Sequence, residues 1–183
     1  MKVLVACEFS GITRNAFTAL GHEAVSCDFL PSDLPGNHYQ GNVLDIINDG
    51  WDLMIAHPPC THLAVSGARW FKEKEEVQLE AIEFAKKLYM APIHKIAIEN
   101  PKSILSSVFG KPTQIVQPWQ FGHIEVKGIC LWLKNLPKLK PTNITTGRFA
   151  FCHLEGASKF RSKRRSVSFT GIASAMASQW TVV

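Results

Sequence analysis

The stretch Trp51-Asp52-Leu53-Met54-Ile55-Ala56-His57-Pro58-Pro59-Cys60 decides the fold. Leu53 to Ala56 are apolar without alternation, the pattern of a strand covered on both faces inside a parallel sheet. Pro58 and Pro59 fix two φ angles and lack N–H donors, so strand pairing stops there. Cys60 therefore falls just beyond the carboxyl end of a central strand, the edge at which open α/β sheets bind ligands. A cysteine on a rigid turn at that edge is a candidate nucleophile. Free cysteines are also common core residues, and this stretch alone leaves both readings open.

Upstream, Lys2 to Ala6 reads as a first strand and Cys7-Glu8-Phe9-Ser10-Gly11 as the turn after it. Ile12, Ala16, Phe17 and Leu20 recur at helical spacing, and Gly21 supplies a helix stop. Glu23 to Cys27 is a second strand closed by Asp28. This is a βαβ unit of the nucleotide-binding type, with an acid where ribose hydroxyls are held. Thr13 and Arg14 stand where a dinucleotide pyrophosphate would want further glycines, so the unit suits a cofactor without phosphates. Leu30 to Gln40 reads as a polar loop, and Gly41 to Asp45 as a short third strand or its exit turn.

Downstream, Thr61 to Phe71 reads as a loop over the edge, a linker or a lid. Glu73 to Met90 is a helix whose buried stripe is expected from Val77, Leu79, Ala81, Ile82, Phe84, Ala85 and Leu88. Ile93 to Ile98 is another buried strand, ending in Glu99-Asn100-Pro101. The repeated order of apolar strand, polar residues and proline puts Glu99 on the same edge as Cys60. A carboxyl flanked by apolar residues can be pushed up to hold a proton near neutral pH. Gln114 to Gln117 and Gly128 to Leu133 read as strands, Asn135 to Thr146 as loop, and Gly171 to Trp180 as a final helix. The expected class is α/β, a Rossmann-like fold with a mostly parallel central sheet and helices on both faces.

The chain has 183 residues, 46% of them hydrophobic, enough for one domain with a substantial core. Met1-Lys2 leads into too short an apolar run for a signal peptide, and no run approaches a membrane span. A cytoplasmic protein with reduced thiols is expected. Cys60-x-His62 and Cys152-His153 lack the paired Cys-x-x-Cys spacing of structural metal sites, so no metal is expected. The net charge of +5 is concentrated late, at Lys159, Arg161, Lys163, Arg164 and Arg165. Such a run is either a solvated face or a phosphate-contacting one.

With these residues in view, the chain resembles the DNA cytosine-5 methyltransferases, most closely the short versions of phages and prophages. Glu8-Phe9-Ser10-Gly11 resembles the turn that holds S-adenosyl-L-methionine, and Asp28-Phe29 resembles the acid and aromatic that take its ribose and adenine. Pro58-Pro59-Cys60 is similar to the nucleophile motif. Glu99-Asn100 is similar to the Glu-Asn-Val motif of the acid, with Pro101 in place of valine. Phe121-Gly122 and Lys127 resemble a later motif without its arginines, and Thr170-Gly171-Ile172-Ala173 resembles the last one. Asn42 stands where the family has an Asp for the adenine amino group, and His57 where it commonly has a small residue.

The resemblance implies methyl transfer to carbon 5 of cytosine in DNA. Cys60 would add to carbon 6 as a thiolate and Glu99 would protonate the ring nitrogen. The base would leave the helix stack. It implies cofactor contacts from Glu8, Phe9, Ser10, Gly11, Ile12, Asp28, Phe29, Asn42, Val43 and Pro58. Substrate contacts would come from His57, Asn100, Lys127, Arg161, Arg164 and Arg165. The family's separate target-recognition domain has no room here. Only about 35 residues separate Leu133 from Thr170, and residues 134–169 read as a reduced basic loop within a single catalytic domain spanning 1–183. The DNA partner is thus expected to be loosely specific or single-stranded, with a homodimer as one arrangement. Two alternatives stand beside this: an S-adenosylmethionine enzyme acting on a free nucleotide or using a modified cofactor, and a non-catalytic DNA- or cofactor-binding relative.

Overall fold

The apolar runs become the middle of a seven-stranded sheet. In the computed structural model, which describes residues 1–65, 75–151 and 161–181, the strands are β1 (Lys2–Ala6), β2 (Glu23–Asp28), β3 (His38–Gln40), β4 (Leu53–Ala56), β5 (Lys95–Pro101), β6 (Gln114–Val116) and β7 (Ile129–Lys134). Their order is β3-β2-β1-β4-β5-β7-β6. The first five run parallel, and β7 is antiparallel to both β5 and β6. The sheet is therefore mixed rather than mostly parallel. The hydrophobic run Gly128 to Leu133 carries no signal of direction, so the sequence did not distinguish the two pairings.

The helices are α1 (Ile12–Thr18), α2 (Glu75–Tyr89), α3 (Leu105–Val108), α4 (Arg161–Ser166) and α5 (Thr170–Trp180). Side chains of a strand alternate between faces, and each face of the sheet has its own core. Leu4, Met54, Ile96, Ile98 and Trp132 pack with Ile82, Ala85 and Leu88 of α2. Val3, Val5, Leu53, Ile55 and Ala97 pack with Phe17 of α1 and with Met176 and Trp180 of α5. Helices thus cover both faces, as expected. Among the described residues no helix is long and apolar enough to cross a membrane.

Several local expectations change. His38–Gln40, read as the end of a loop, pairs with β2 as the sheet's edge strand. The segment expected as the third strand or its exit turn instead forms a 3₁₀ turn at Val43–Asp45, capped by the Asn42 side chain. In α2, Val77 and Leu79 are exposed, and the buried stripe is Gln78, Ile82, Ala85 and Leu88. The amide of Gln78 donates to the His62 carbonyl at 3.0 Å, so a polar residue takes a core-facing position that the hydrophobic pattern hides. Arg161 to Ser166, read only as a basic run, is helical. Ser66 to Phe71, part of the loop expected over the edge, lies outside the described residues, as do Cys152, His153 and Lys159.

Gly171 opens α5 against the preceding chain. A Cβ there would sit 1.8 Å from the Phe121 carbonyl oxygen, so only glycine permits this approach.

Candidate active site

Parallel pairing carries the ends of β1, β2, β4 and β5 to one edge. Ala6, Ala56 and Ile98 lie in register across β1, β4 and β5, and the next residues are Cys7, His57 and Glu99. His57 Nδ1 lies 2.9 Å from Glu99 Oε2. Asn100 is buried, and its Nδ2 donates to the Pro58 carbonyl at 2.8 Å. These two contacts fasten the proline turn to β5. Cys60 follows as an exposed residue whose carbonyl accepts from the N–H groups of Leu63 and Ala64. A thiol and a carboxyl from adjacent strands thus share one edge.

The electrostatics of that edge differ from the sequence expectation. Burial pushes the Glu99 carboxyl up, but the hydrogen bond and charge of His57, together with Lys127, pull it further down. Its net shift is below the ordinary value, so Glu99 rests as a carboxylate and not as the proton-holding acid expected from its apolar flanks. Burial lowers His57, and the hydrogen bond and charge of Glu99 and the charge of Glu8 overcome both that and Lys127, so its net shift is upward. Both shifts favour an imidazolium–carboxylate ion pair, with side chains only 16% and 19% exposed. The Cys60 thiol is raised by partial burial and by Glu99, against Lys127, a backbone hydrogen bond and Arg165, which lower it. Two buried atoms of this edge, His57 Nε2 and Asn100 Oδ1, have no partner among the described residues.

The turn after β1 is built around a buried carboxylate. Glu8 Oε1 accepts from the Thr13 N–H at 2.7 Å and the Ser10 hydroxyl at 3.0 Å, and Oε2 accepts from the Arg14 N–H at 3.2 Å. The Ile12 N–H donates to Ser10 Oγ at 3.3 Å. The N-terminus of α1, which in a nucleotide-binding unit receives a phosphate, is already occupied by a carboxylate. Phe9, Ser10 and Gly11 are buried and Ile12 is half-buried. Gly11 has φ of 73°, and Cys7 has φ of 58° without being glycine. The side chains of Glu8 and Ser10 are thus already engaged within this turn.

At the end of β2, Asp28 Oδ1 accepts from the Leu30 N–H at 2.9 Å. Phe29 is 73% exposed, an aromatic face open to a ligand. Asn42 Oδ1, the oxygen expected to meet an adenine amino group, accepts from the Leu44 N–H at 3.1 Å. Val43 is buried in the core and Pro58 is buried beneath the proline turn.

The basic residues assemble beside this edge. Lys127 Nζ donates to the Arg165 carbonyl at 2.9 Å, and both cations act on the Cys60 thiol. Lys163 pairs with Asp33 at 3.0 Å and lies 4.9 Å from the centre of the Phe9 ring. Helix α4 therefore lies beside both the β1 turn and Lys127. Arg164 is exposed in the same helix; the side chain of Arg161 lies outside the described residues.

The sequence reading missed two contributors. Arg14 is fully buried and binds Ser26, Ser32, Leu34 and Pro35, a role that an arginine within a short helix does not announce. His123 Nε2 accepts the Gly171 N–H at 3.0 Å, and burial keeps its pKa low, as an accepting imidazole requires. Among the described residues no group of three or more His, Cys, Asp or Glu is placed to hold a metal.

No family model matches the sequence, and no curated protein matches it. The fold is shared with a solved structure described as "putative DNA modification methyltransferase encoded within prophage", from E. coli. The TM-score is 0.51 at 14% identity, covering 79% of this chain and 52% of that one. The chain thus spans about half the length of that neighbour, and at this identity the likeness is one of fold.

Proposed function

We propose that this chain transfers a methyl group from S-adenosyl-L-methionine to carbon 5 of cytosine in DNA, with Cys60 as nucleophile and Glu99, charged through His57, as proton donor. The observation that carries the reading is the pair of ties between β4 and β5, His57 to Glu99 and Asn100 to Pro58, which hold thiol and carboxyl on one edge beside the β1 turn. The fold shared with a prophage protein described as a DNA modification methyltransferase agrees with it.

The residues fit the cofactor. A carboxylate at the start of α1 disfavours a phosphate and favours a cationic ligand. Asp28 would take ribose hydroxyls through the oxygen not used by Leu30, and Phe29 would stack on the adenine. Asn42, Val43, Gly11, Ile12 and Pro58 would frame the rest of the site. When bound, the cofactor supplies an electrophilic methyl group.

Carbon 5 of cytosine needs activation, which addition of a thiolate to carbon 6 provides. Cys60 releases its proton to solvent, favoured by Lys127 and Arg165, and its sulfur bonds to carbon 6. The electron pair of the 5,6 double bond moves to carbon 5. Ring nitrogen 3 takes a proton from the Glu99–His57 pair, which moves from His57 Nδ1 through the carboxylate. After carbon 5 is methylated, its hydrogen leaves as a proton to solvent, the sulfur departs as thiolate to restore the double bond, and ring nitrogen 3 returns its proton to the Glu99–His57 pair. The unused polar atoms His57 Nε2 and Asn100 Oδ1 suit a base edge that both accepts and donates. Lys127, Arg161, Arg164 and Arg165 supply the charge for phosphates.

The test is transfer of radiolabelled methyl groups to single-stranded DNA, duplex DNA and free cytidine nucleotides. DNA is expected to be labelled and Cys60→Ser to abolish labelling while retaining cofactor binding by calorimetry. Normal transfer by Cys60→Ser, or labelling of nucleotides alone, refutes the proposal. The nucleotide reading is kept as an arm because the segment between β7 and α5 is too short for a folded reader of sequence.

A further inference from the structure

The chain between β6 and α5 does more than shorten a loop. After a 3₁₀ turn at Pro118–Gln120, residues 121–126 run beside residues 143–149. The Gly122 N–H donates to the Asn143 carbonyl at 2.7 Å, the Phe149 N–H to the Ile124 carbonyl at 2.8 Å, and the Val126 N–H to the Phe149 carbonyl at 2.8 Å. This backbone pairing holds aromatic rings in the open. Phe149 and Phe151 stack with centroids 5.7 Å apart and are 55% and 53% exposed. The Arg148 guanidinium lies 3.8 Å from the centre of the Trp119 ring, anchored on the carbonyls of Thr145 and Gly147. The paired segment runs directly into Lys127, whose ammonium acts on both Cys60 and Glu99.

An exposed stack of phenylalanines would by itself suit any apolar partner. Here it is accompanied by an arginine stacked on tryptophan, and it is continuous in the chain with the lysine of the candidate active site. Aromatic faces interleaved with cations are the chemistry that takes unpaired bases and their phosphates, because every base offers a π-face and every linkage a negative charge. In a duplex those faces are already stacked. We propose that Phe149, Phe151 and the Arg148–Trp119 pair form a stacking platform for unpaired bases, so that this chain takes single-stranded DNA beside the Cys60 edge without a folded reader. The proposal deepens the function proposed above and rests on it for the role of Cys60.

The test uses the full chain and a fluorescein-labelled oligothymidine, which carries no cytosine and so reports binding without methyl transfer. Fluorescence anisotropy is expected to give binding that weakens with salt and that exceeds binding to a hairpin duplex of equal length. Phe149→Ala and Phe151→Ala should each weaken it by roughly 5- to 150-fold, the range for loss of one base–aromatic stack. Phe151→Trp should retain it. Because both rings are exposed, thermal melting should not move, which separates loss of binding from loss of fold. Unchanged affinity in the double alanine variant overturns the platform. So does a double variant that becomes monomeric by light scattering while oligothymidine affinity stays constant, since the rings would then join two copies of this chain. The outcomes separate the two proposals. Platform-dependent binding without any methyl transfer to DNA leaves the platform standing and removes the proposed reaction. Transfer with unchanged KM in the double variant does the reverse.

Discussion

Replacing His57 by Gln removes the charged donor that faces Glu99. The bond lost is a 2.9 Å charge-assisted contact between side chains 16% and 19% exposed. Such bonds contribute about 1.5–3 kcal/mol, and a protein of this size moves by roughly 2–4 °C per kcal/mol. The variant should melt about 3–12 °C lower at the pH where the pair is fully formed. The folded state raises His57, so its contribution is complete below the unfolded value of about 6.5 and is lost as pH rises through the folded value. The folded state lowers Glu99, so its contribution is present above about 4.3 and is lost as pH falls through the folded value. The gap between native protein and His57→Gln is therefore widest between about pH 4.3 and 6.5 and narrows at higher pH. Thermal melts across the range, with Glu99→Gln and the double variant completing a cycle, measure it. A gap independent of pH, or one widening in alkali, refutes the ion pair.

The pH–rate profile of methyl transfer should lose its alkaline limb in His57→Gln, because the imidazolium supplies the proton that Glu99 delivers. Lys127→Ala removes a cation that lowers the Cys60 thiol, so the midpoint of iodoacetamide alkylation at Cys60 should move to higher pH; a midpoint that falls or stays contradicts the assignment. Glu8→Gln weakens the acceptors of α1's first N–H groups and should cost about 0.5–2 kcal/mol in urea unfolding, the range for a lost helix cap. Gly171→Ala forces a Cβ onto the Phe121 carbonyl and should cost about 1–3 kcal/mol or more, read as a lower melting temperature.

Local patterns carried much of the fold. The unbroken apolar runs of β1, β4 and β5 and the small-residue helix α5 were legible because burial on both sides leaves no alternation to confuse. The edge strand β3 was not, since His38, Tyr39 and Gln40 are polar or half-polar and gain their pairing only from β2. Helix α4 was not, because Arg161 to Ser166 has no apolar stripe. In the candidate site, Cys60 was legible as a residue after a strand end and Glu99 by the same pattern, although β5 continues through Glu99 to Pro101 in its pairing with β7. The state of Glu99 was not, because its controlling partner stands 42 positions away and meets it only through strand register. The buried core position of Gln78 was hidden for a similar reason, its acceptor being a carbonyl in the turn after Cys60.

Arg14 has a consequence for how the molecule can open. Its guanidinium ties α1 to Ser26 of β2 and to Ser32, Leu34 and Pro35, while Gly11 and Gly36 leave out the methyl groups that would collide with it. Helix α1, the strand β2 and the loop from Ser32 to Pro35 are therefore joined through one buried guanidinium. The same loop meets α4 through Lys163 and Asp33, an exposed ion pair of a kind that contributes about 1 kcal/mol or less. Raised ionic strength therefore screens this contact while leaving the buried Arg14 ties in place.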